Sequence, residues 1–557
     1  MNLTLIQDAL LLPVSWCFVF AFVTSVGYAF SPFRRQRGVL HHNLFTWFWY
    51  GVGITVVFLQ VWNLFRPIGI YTWFCLFPFA VWGFINLRQS GLLPAVSRPH
   101  WIVWVLGLAI LVFLVVSSLD NSFIYDTLVY HFYTIKWFSI YPATPGTGNL
   151  FIYLGLNQSY FLFPAFLDGI WSNYKGACAA SGLFAAVICG EIILANAKRV
   201  IDRKFTFLSA FQLLFLPLCI NVGVQNLSSP TPDTFINLLT FKVFSDLITC
   251  LKAKKAGFQD IFLLLFYCVL GVVMKMSFAG VALGMGFVIV VLLSVNKLWR
   301  FKYIAGTAAI LLLLLIPWVL RGIISTGYIG FPAYSLPLPV DWRVPKPDVV
   351  GFYAYIKGFA RTMLHGKAAA DAAYNYNWLP AWIKRMATSF NFILPVVLCL
   401  GVCGIMGVKK ITIRPLVLIF VCILISLIFW FFTAPDVRFV RFTFWTLGLA
   451  PVAYLIAQLN PKCQNVFGIV IVCCCLVIMA RNWNGDPQPL GDLPKQQRAI
   501  FTTKSGLKIN VNKDTPPGDD WQVSDCPIPC SVFPDSNLTL RKKAIKDGFR
   551  NSAGDKK

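Results

Sequence analysis

The sequence is short of charge. Only 12% of its 557 residues are Asp, Glu, Lys or Arg, against about 25% in a soluble globular chain. Negative charge is scarcer still: 22 acidic residues face 47 basic ones, and Glu191 is the single glutamate. These deficits exclude an ordinary soluble enzyme, a disordered chain and a nucleic-acid binder. Internal repeats and low-complexity tracts are also lacking. What is abundant is apolar: 58% of residues are hydrophobic and 16% aromatic, with mean hydropathy +0.70. Apolar runs of about 20 residues recur, the length of a membrane-crossing helix. In lipid every backbone polar group must be paired within the segment. The expected fold is therefore an all-α polytopic membrane protein.

Fourteen hydrophobic segments are legible, at 9–30, 44–64, 69–86, 101–119, 174–197, 205–221, 233–251, 259–275, 278–295, 303–320, 389–408, 415–433, 442–459 and 464–480. Lys and Arg fall in alternate loops: Arg34, Arg35 and Arg37; Arg88 and Arg98; Lys198, Arg199, Arg203 and Lys204; Lys252, Lys254 and Lys255; Lys297, Arg300 and Lys302; Lys409, Lys410 and Arg414; Lys462. The positive-inside rule makes these the cytoplasmic loops. Both termini then lie outside, and the first segment reads as an anchor. The long loops, 120–173 and 321–388, and the tail 481–557 share the outer face, which makes that face the working one. The chain divides into extra N-terminal helices (1–100), a core (101–320) holding the first outer loop, the large outer loop, C-terminal helices (389–480) and the tail. Fourteen of the 16 cysteines lie in or beside apolar segments. Cys526 and Cys530 sit instead in the polar tail and predict a disulfide in a small outer module.

The few carboxylates limit the chemistry. Lys242 and Asp246 share one helix face at i, i+4 and are expected to pair, while Glu191 and Asp246 read as charge balance near the cytoplasmic surface. Asp126 follows an apolar helix among aromatic neighbours, at the outer edge of the hydrocarbon, where a lone carboxylate is costly. Asp120 lies just before it. Asp233, in Ser228-Ser229-Pro230-Thr231-Pro232-Asp233, reads equally as a functional acid and as a helix N-cap. Tyr130, His131 and Lys136 belong to a segment that reads as an amphipathic interfacial helix. Asn157 and Gln158 follow the turn Pro145-Gly146-Thr147-Gly148-Asn149; such amides suit sugar hydroxyls, and a turn explains them equally. Lys275, Arg321 (with Tyr328 just beyond), Arg438 and Arg441 are cations on the outer side, against the orientation rule. They suit a phosphate, and snorkelling towards headgroups explains each one singly.

Asp126-Thr127-Leu128-Val129-Tyr130 resembles the Asp-x-x-x-Tyr pattern that opens the first outer loop of the GT-C superfamily. These are polytopic glycosyltransferases that use polyprenyl-phosphate sugars. With 101–119 taken as the first core helix, 321–388 falls where that superfamily has its large loop. The Asp-Glu pair of several members is absent, since Thr127 follows Asp126. Pro145–Asn149, Arg321 to Tyr328, Ala434-Pro435-Asp436-Val437-Arg438-Phe439 and the Cys526–Cys530 stretch are also similar to a bacterial membrane-protein family of uncertain function. The resemblance implies an inverting transfer from a polyprenyl-phosphate sugar to an envelope glycan, lipid or protein acceptor. That reaction would sit on the extracytoplasmic face of a bacterial inner (plasma) membrane. Asp126 is then the base with Asp120 in reserve, and Asp233 orients the acceptor or shares an optional Mg²⁺ or Mn²⁺ with Asp126. Arg321, Arg438 and Lys275 would meet the leaving phosphate. A polysaccharide polymerase or ligase, and a lipid-linked substrate transporter or flippase, are the competing expectations.

Overall fold

The computed structural model describes residues 3–31, 43–90, 101–120, 123–171, 173–202, 204–224, 227–253, 256–483, 486–513 and 522–552. Arg34, Arg35, Arg37, Arg98, Arg203, Lys254 and Lys255 lie outside them. Each of the fourteen hydrophobic segments is a helix: Leu3–Phe30, Leu44–Asn63, Ile70–Gln89, Trp101–Ser118, Lys175–Asp202, Phe207–Val224, Pro232–Lys252, Phe258–Met274, Ala279–Val295, Phe301–Thr326, Phe390–Val408, Val417–Thr433, Arg441–Ile456 and Pro461–Arg481. Among the described residues, ten helices are long and apolar enough to cross a membrane. Four more have apolar stretches of 10–17 residues, within Trp101–Ser118, Phe207–Val224, Phe258–Met274 and Arg441–Ile456. The first three helices pack through glycine. A Cβ on Gly27 would lie 2.0 Å from the Trp47 carbonyl oxygen, and one on Gly51 2.0 Å from that of Val23. Between membrane helices such close approach replaces the hydrophobic drive available in water. Outward faces stay apolar, with Phe74, Phe77, Trp82, Val397, Leu400 and Leu424 exposed.

Contacts tie the helices together at both ends of the bundle. At one end, the Phe205 amide donates to Gln464 Oε1 (2.8 Å), joining two basic loops. At the other end the long segments interlock. Lys175 pairs with Asp8 (2.7 Å), the Gly146 amide donates to the Ile324 carbonyl (2.8 Å), and Arg541 reaches both Asp341 oxygens (2.8 and 2.9 Å). The tail forms two hairpins. β1 (Arg498–Thr502) pairs antiparallel with β2 (Lys508–Asn512), and β3 (Leu538–Leu540) with β4 (Phe549–Asn551). Cys526 and Cys530 are joined as a disulfide.

This tail changes the reading of the first outer loop. The helix Phe132–Ile140 is not interfacial. Phe132, Tyr133, Ile135, Trp137 and Phe138 are all buried, because the tail is packed on the loop. Tyr133 Oη accepts the Cys530 amide (2.8 Å) and donates to its carbonyl (3.0 Å). Lys136 Nζ donates to the Cys526 carbonyl (2.9 Å), and the Val523 amide to that of Leu128 (3.0 Å). Gly146 supplies a tight approach here. Its φ is +67°, and a Cβ would sit 2.1 Å from the Phe549 carbonyl oxygen.

Candidate functional site

The interlocked end gathers charges that are far apart in sequence. Asp126 stands just before a π-helical turn, Thr127–His131, a form that single-turn insertions at functional sites often take. Arg438 comes from the turn after Val417–Thr433. Its Nη1 lies 3.0 Å from Asp126 Oδ2, and the two side chains are 40% and 29% exposed. Arg438 Nε is 3.8 Å from Asp436 Oδ2, and Asp436 Oδ1 accepts the Arg438 amide (3.0 Å). A second, buried pair lies alongside. Lys275, where the Phe258–Met274 helix gives way to extended backbone, bonds Asp233 in the first turn of Pro232–Lys252. The N-cap of that helix is Thr231, whose hydroxyl accepts the Asp233 amide (3.3 Å). Asp233 is therefore not the cap, and its carboxylate is committed to Lys275.

Aromatic rings wall this cluster. Phe439 lies under both Lys275 (5.0 Å) and Arg438 (4.9 Å). Tyr130 stacks on Tyr153 (5.1 Å), which meets Phe352 of the large outer loop edge-on (5.1 Å). That loop also holds the Arg438 turn. Trp382 Nε1 donates to the Pro435 carbonyl (2.8 Å), and Trp430 Nε1 to the Asp436 carbonyl (2.8 Å). His131 Nδ1 bonds the Thr127 hydroxyl (2.8 Å). Burial, followed by the Lys275 charge, holds the His131 pKa well below its ordinary value of 6.5, so the ring is neutral. Burial, then the Asp126 and Asp233 charges, push the Tyr130 hydroxyl well up. Burial opposes the Arg438 charge, but Asp233, Asp126 and Asp436 outweigh it and raise its pKa. Arg441 opens the next helix, close enough to feel Asp233 and Asp436. The cluster is thus three carboxylates against three cations, and its most open member is the Asp126–Arg438 pair.

Other expected site residues lie elsewhere. Asp120 lies two residues past the Trp101–Ser118 helix. Lys136 anchors the disulfide loop, as described above. Tyr328 is fully buried in a small apolar cluster with Phe331 and Phe352, and its hydroxyl donates to the Val344 carbonyl (3.1 Å). Gln158 lies beside the 3-10 turn Ser159–Phe161. Asn157, at φ +49°, ties the loop to Trp318 through its Nδ2 (2.6 Å) and its carbonyl (2.9 Å). Arg321 is separate from Arg438. It is 3% exposed and stacks on Phe138 (4.7 Å) in a cavity lined by Thr144, Thr147, Leu154, Asn157 and Ser325. The 3-10 turn Ile152–Leu156 stands between the two places, with Tyr153 facing Tyr130 and Leu154 facing Arg321. Asp126 and Asp233 each already meet a cation of the chain, Arg438 and Lys275. No group of three His, Cys, Asp or Glu suited to a metal occurs among the described residues.

One ionic group falls outside the expected site. Lys242 pairs with Asp246 (3.1 Å), as the i, i+4 spacing predicts, and also with Glu191 of another helix (2.8 Å). All three are buried. Lys242 is ten residues into its helix, about 15 Å from the end. The triad therefore sits in mid-helix, not at the basic surface where Glu191 and Asp246 were expected. The available signal was Glu191 itself, the lone glutamate, flanked by apolar residues.

Apolar helices, a charge cluster and a cap of packed loops and hairpins define a mostly helical polytopic membrane protein. The chain belongs to the family described as a domain of unknown function, DUF8201, whose model matches residues 10–445. The tail with its hairpins and disulfide lies beyond the matched range. No curated protein and no solved structure matches the chain.

Proposed function

We propose that the protein is an integral-membrane glycosyltransferase of GT-C-like organisation. All fourteen helices cross the bilayer with both termini outside, and the active face is extracytoplasmic, in a bacterial plasma membrane. The donor is a polyprenyl-phosphate sugar and the acceptor a hydroxyl of an envelope glycan, lipid or protein. The observation that carries this reading is the Asp126–Arg438 pair: 312 residues apart in sequence, 3.0 Å apart in space and partly open. The Asp126 carboxylate takes the proton of the acceptor hydroxyl while its oxygen bonds the anomeric carbon. The bond from that carbon to the phosphate oxygen breaks with inversion, and the electron pair stays on the phosphate. Arg438 holds Asp126 through Nη1, and its remaining N–H groups meet the growing phosphate charge. Lys275 and Asp233 set the local field, and Tyr130 and Tyr153 wall the site. No metal step is needed. The test is Asp126→Asn, with membrane insertion checked, in an assay of labelled-sugar transfer to envelope glycan. A loss of about 100-fold or more is expected; unchanged transfer would discard Asp126 as the base.

The Lys242–Glu191–Asp246 triad favours a second reading, a lipid-linked substrate transporter, because such proteins place charged groups at mid-membrane. The two readings separate on substitution. A transporter loses flux with Glu191→Gln and tolerates Asp126→Asn, whereas the transferase does the reverse.

A further inference from the structure

Arg321 presents a physical problem that the proposed reaction does not use. A guanidinium stays charged in a protein, and burying a charge without a partner is costly. Arg321 is 3% exposed, and its Nε and Nη1 have no hydrogen-bond partner among the described residues. Arg361, also buried and also with an unpartnered Nε among the described residues, differs in that its Nη1 donates to the Ala372 and Ala373 carbonyls (both 2.9 Å), and it too stacks on an aromatic ring. Arg321 has the ring of Phe138 and no such carbonyls. What adjoins it is a cavity of about 20 Å³ edged by Thr144, Thr147, Asn157 and Ser325, room for one or two water-sized bodies. The Thr144 and Ser325 hydroxyls already donate to the Pro142 and Gly322 carbonyls (2.8 and 3.1 Å) and Asn157 Nδ2 to that of Trp318 (2.6 Å), so the guanidinium and the Thr147 hydroxyl are the donors left for a small anion among the described residues.

We propose that the Arg321 cavity binds one small monatomic anion of chloride size. This site is distinct from the Asp126–Arg438 cluster and does not depend on the glycosyltransferase reading. The anion supplies the counter-charge to Arg321, with the Thr147 hydroxyl donating to it. By fixing Arg321 it ties the Phe301–Thr326 helix to the first outer loop, where Asn157 and Trp318 already join them.

The test uses the full chain in nanodiscs of phosphatidylcholine, with sodium gluconate exchanged for chloride at constant ionic strength. Unfolding is followed by tryptophan fluorescence. The wild-type Tm should rise saturably with chloride, because a ligand of the native state stabilises it by mass action. Arg321→Met should lose that rise and, in gluconate, be at least as stable as wild type, since it deletes an unpaired buried cation. A wild-type Tm indifferent to chloride, or an equal rise in Arg321→Met, overturns the proposal. A larger rise with inorganic phosphate than with chloride overturns the monatomic assignment. Should Arg321→Met fail to fold, chloride-35 line broadening on wild type and Thr147→Val decides: excess broadening that weakens in the variant supports the site, and its absence in wild type refutes it.

Discussion

Lys242 is the residue whose removal should cost the protein most. Its ammonium lies 2.8 Å from Glu191 and 3.1 Å from Asp246, in a place where none of the three side chains is more than 6% exposed. Two carboxylates share this ammonium. Lys242→Met leaves both carboxylates buried without that ammonium, and breaking a buried pair costs about 3–5 kcal/mol. Glu191→Gln acts differently. It keeps an oxygen facing Nζ and leaves the Lys242–Asp246 pair in place, so the loss is part of one charged hydrogen bond, about 1–2 kcal/mol. The triple replacement Lys242→Met, Glu191→Gln, Asp246→Asn should recover most of the loss of Lys242→Met, because no charge remains to desolvate. Unfolding of the purified chain in mixed dodecyl-maltoside and dodecyl-sulfate micelles gives the three values. A Glu191→Gln loss as large as that of Lys242→Met would refute the reasoning, since it would make the second carboxylate integral to the charge balance.

The same bookkeeping separates the two aspartates of the candidate site. Asp126→Asn breaks a partly exposed pair and should change stability by no more than about 1 kcal/mol. Asp233→Asn strands Lys275 in a buried place and should cost about 3–5 kcal/mol; comparable Tm losses would contradict the difference in burial. His131 gives a pH signature. Its pKa is held well below 6.5 in the folded chain by burial and the Lys275 charge. Just below pH 6.5 the unfolded chain therefore binds more protons than the native one. Its contribution is complete above pH 6.5 and declines as the pH falls below it, and His131→Gln should flatten the Tm profile between pH 7.5 and 5.5. Tyr133→Phe removes the hydroxyl that serves both the amide and the carbonyl of Cys530. It should cost about 1–3 kcal/mol and make the tail more sensitive to protease; an unchanged cleavage rate would mean that the tail is held without it.

What the sequence discloses follows from the range over which each force acts. Hydropathy is local, and all fourteen segments are helices. Lys242–Asp246 and Cys526–Cys530 lie four residues apart and were equally legible. Long-range pairing was not. Asp126 and Arg438 were both picked as unusual, each by its cost at the membrane edge, yet nothing in their spacing says that they meet. Arg321 was picked by the same cost and placed with Arg438; packing put the turn Ile152–Leu156 between them. Asp233 reads equally as a functional acid and as a cap; Thr231 takes the cap position and leaves its carboxylate for Lys275. The interfacial helix was misread for a related reason. Phe132–Ile140 has the composition of a segment lying on lipid, but the tail supplies a second covering that amphipathicity cannot distinguish from a bilayer. The cost of an isolated charge in an apolar setting therefore identifies which residues must find partners. Which partner each finds is decided by the tertiary fold, and here the tail and the large loop decide it by holding the Asp126 turn and the Arg438 turn against each other.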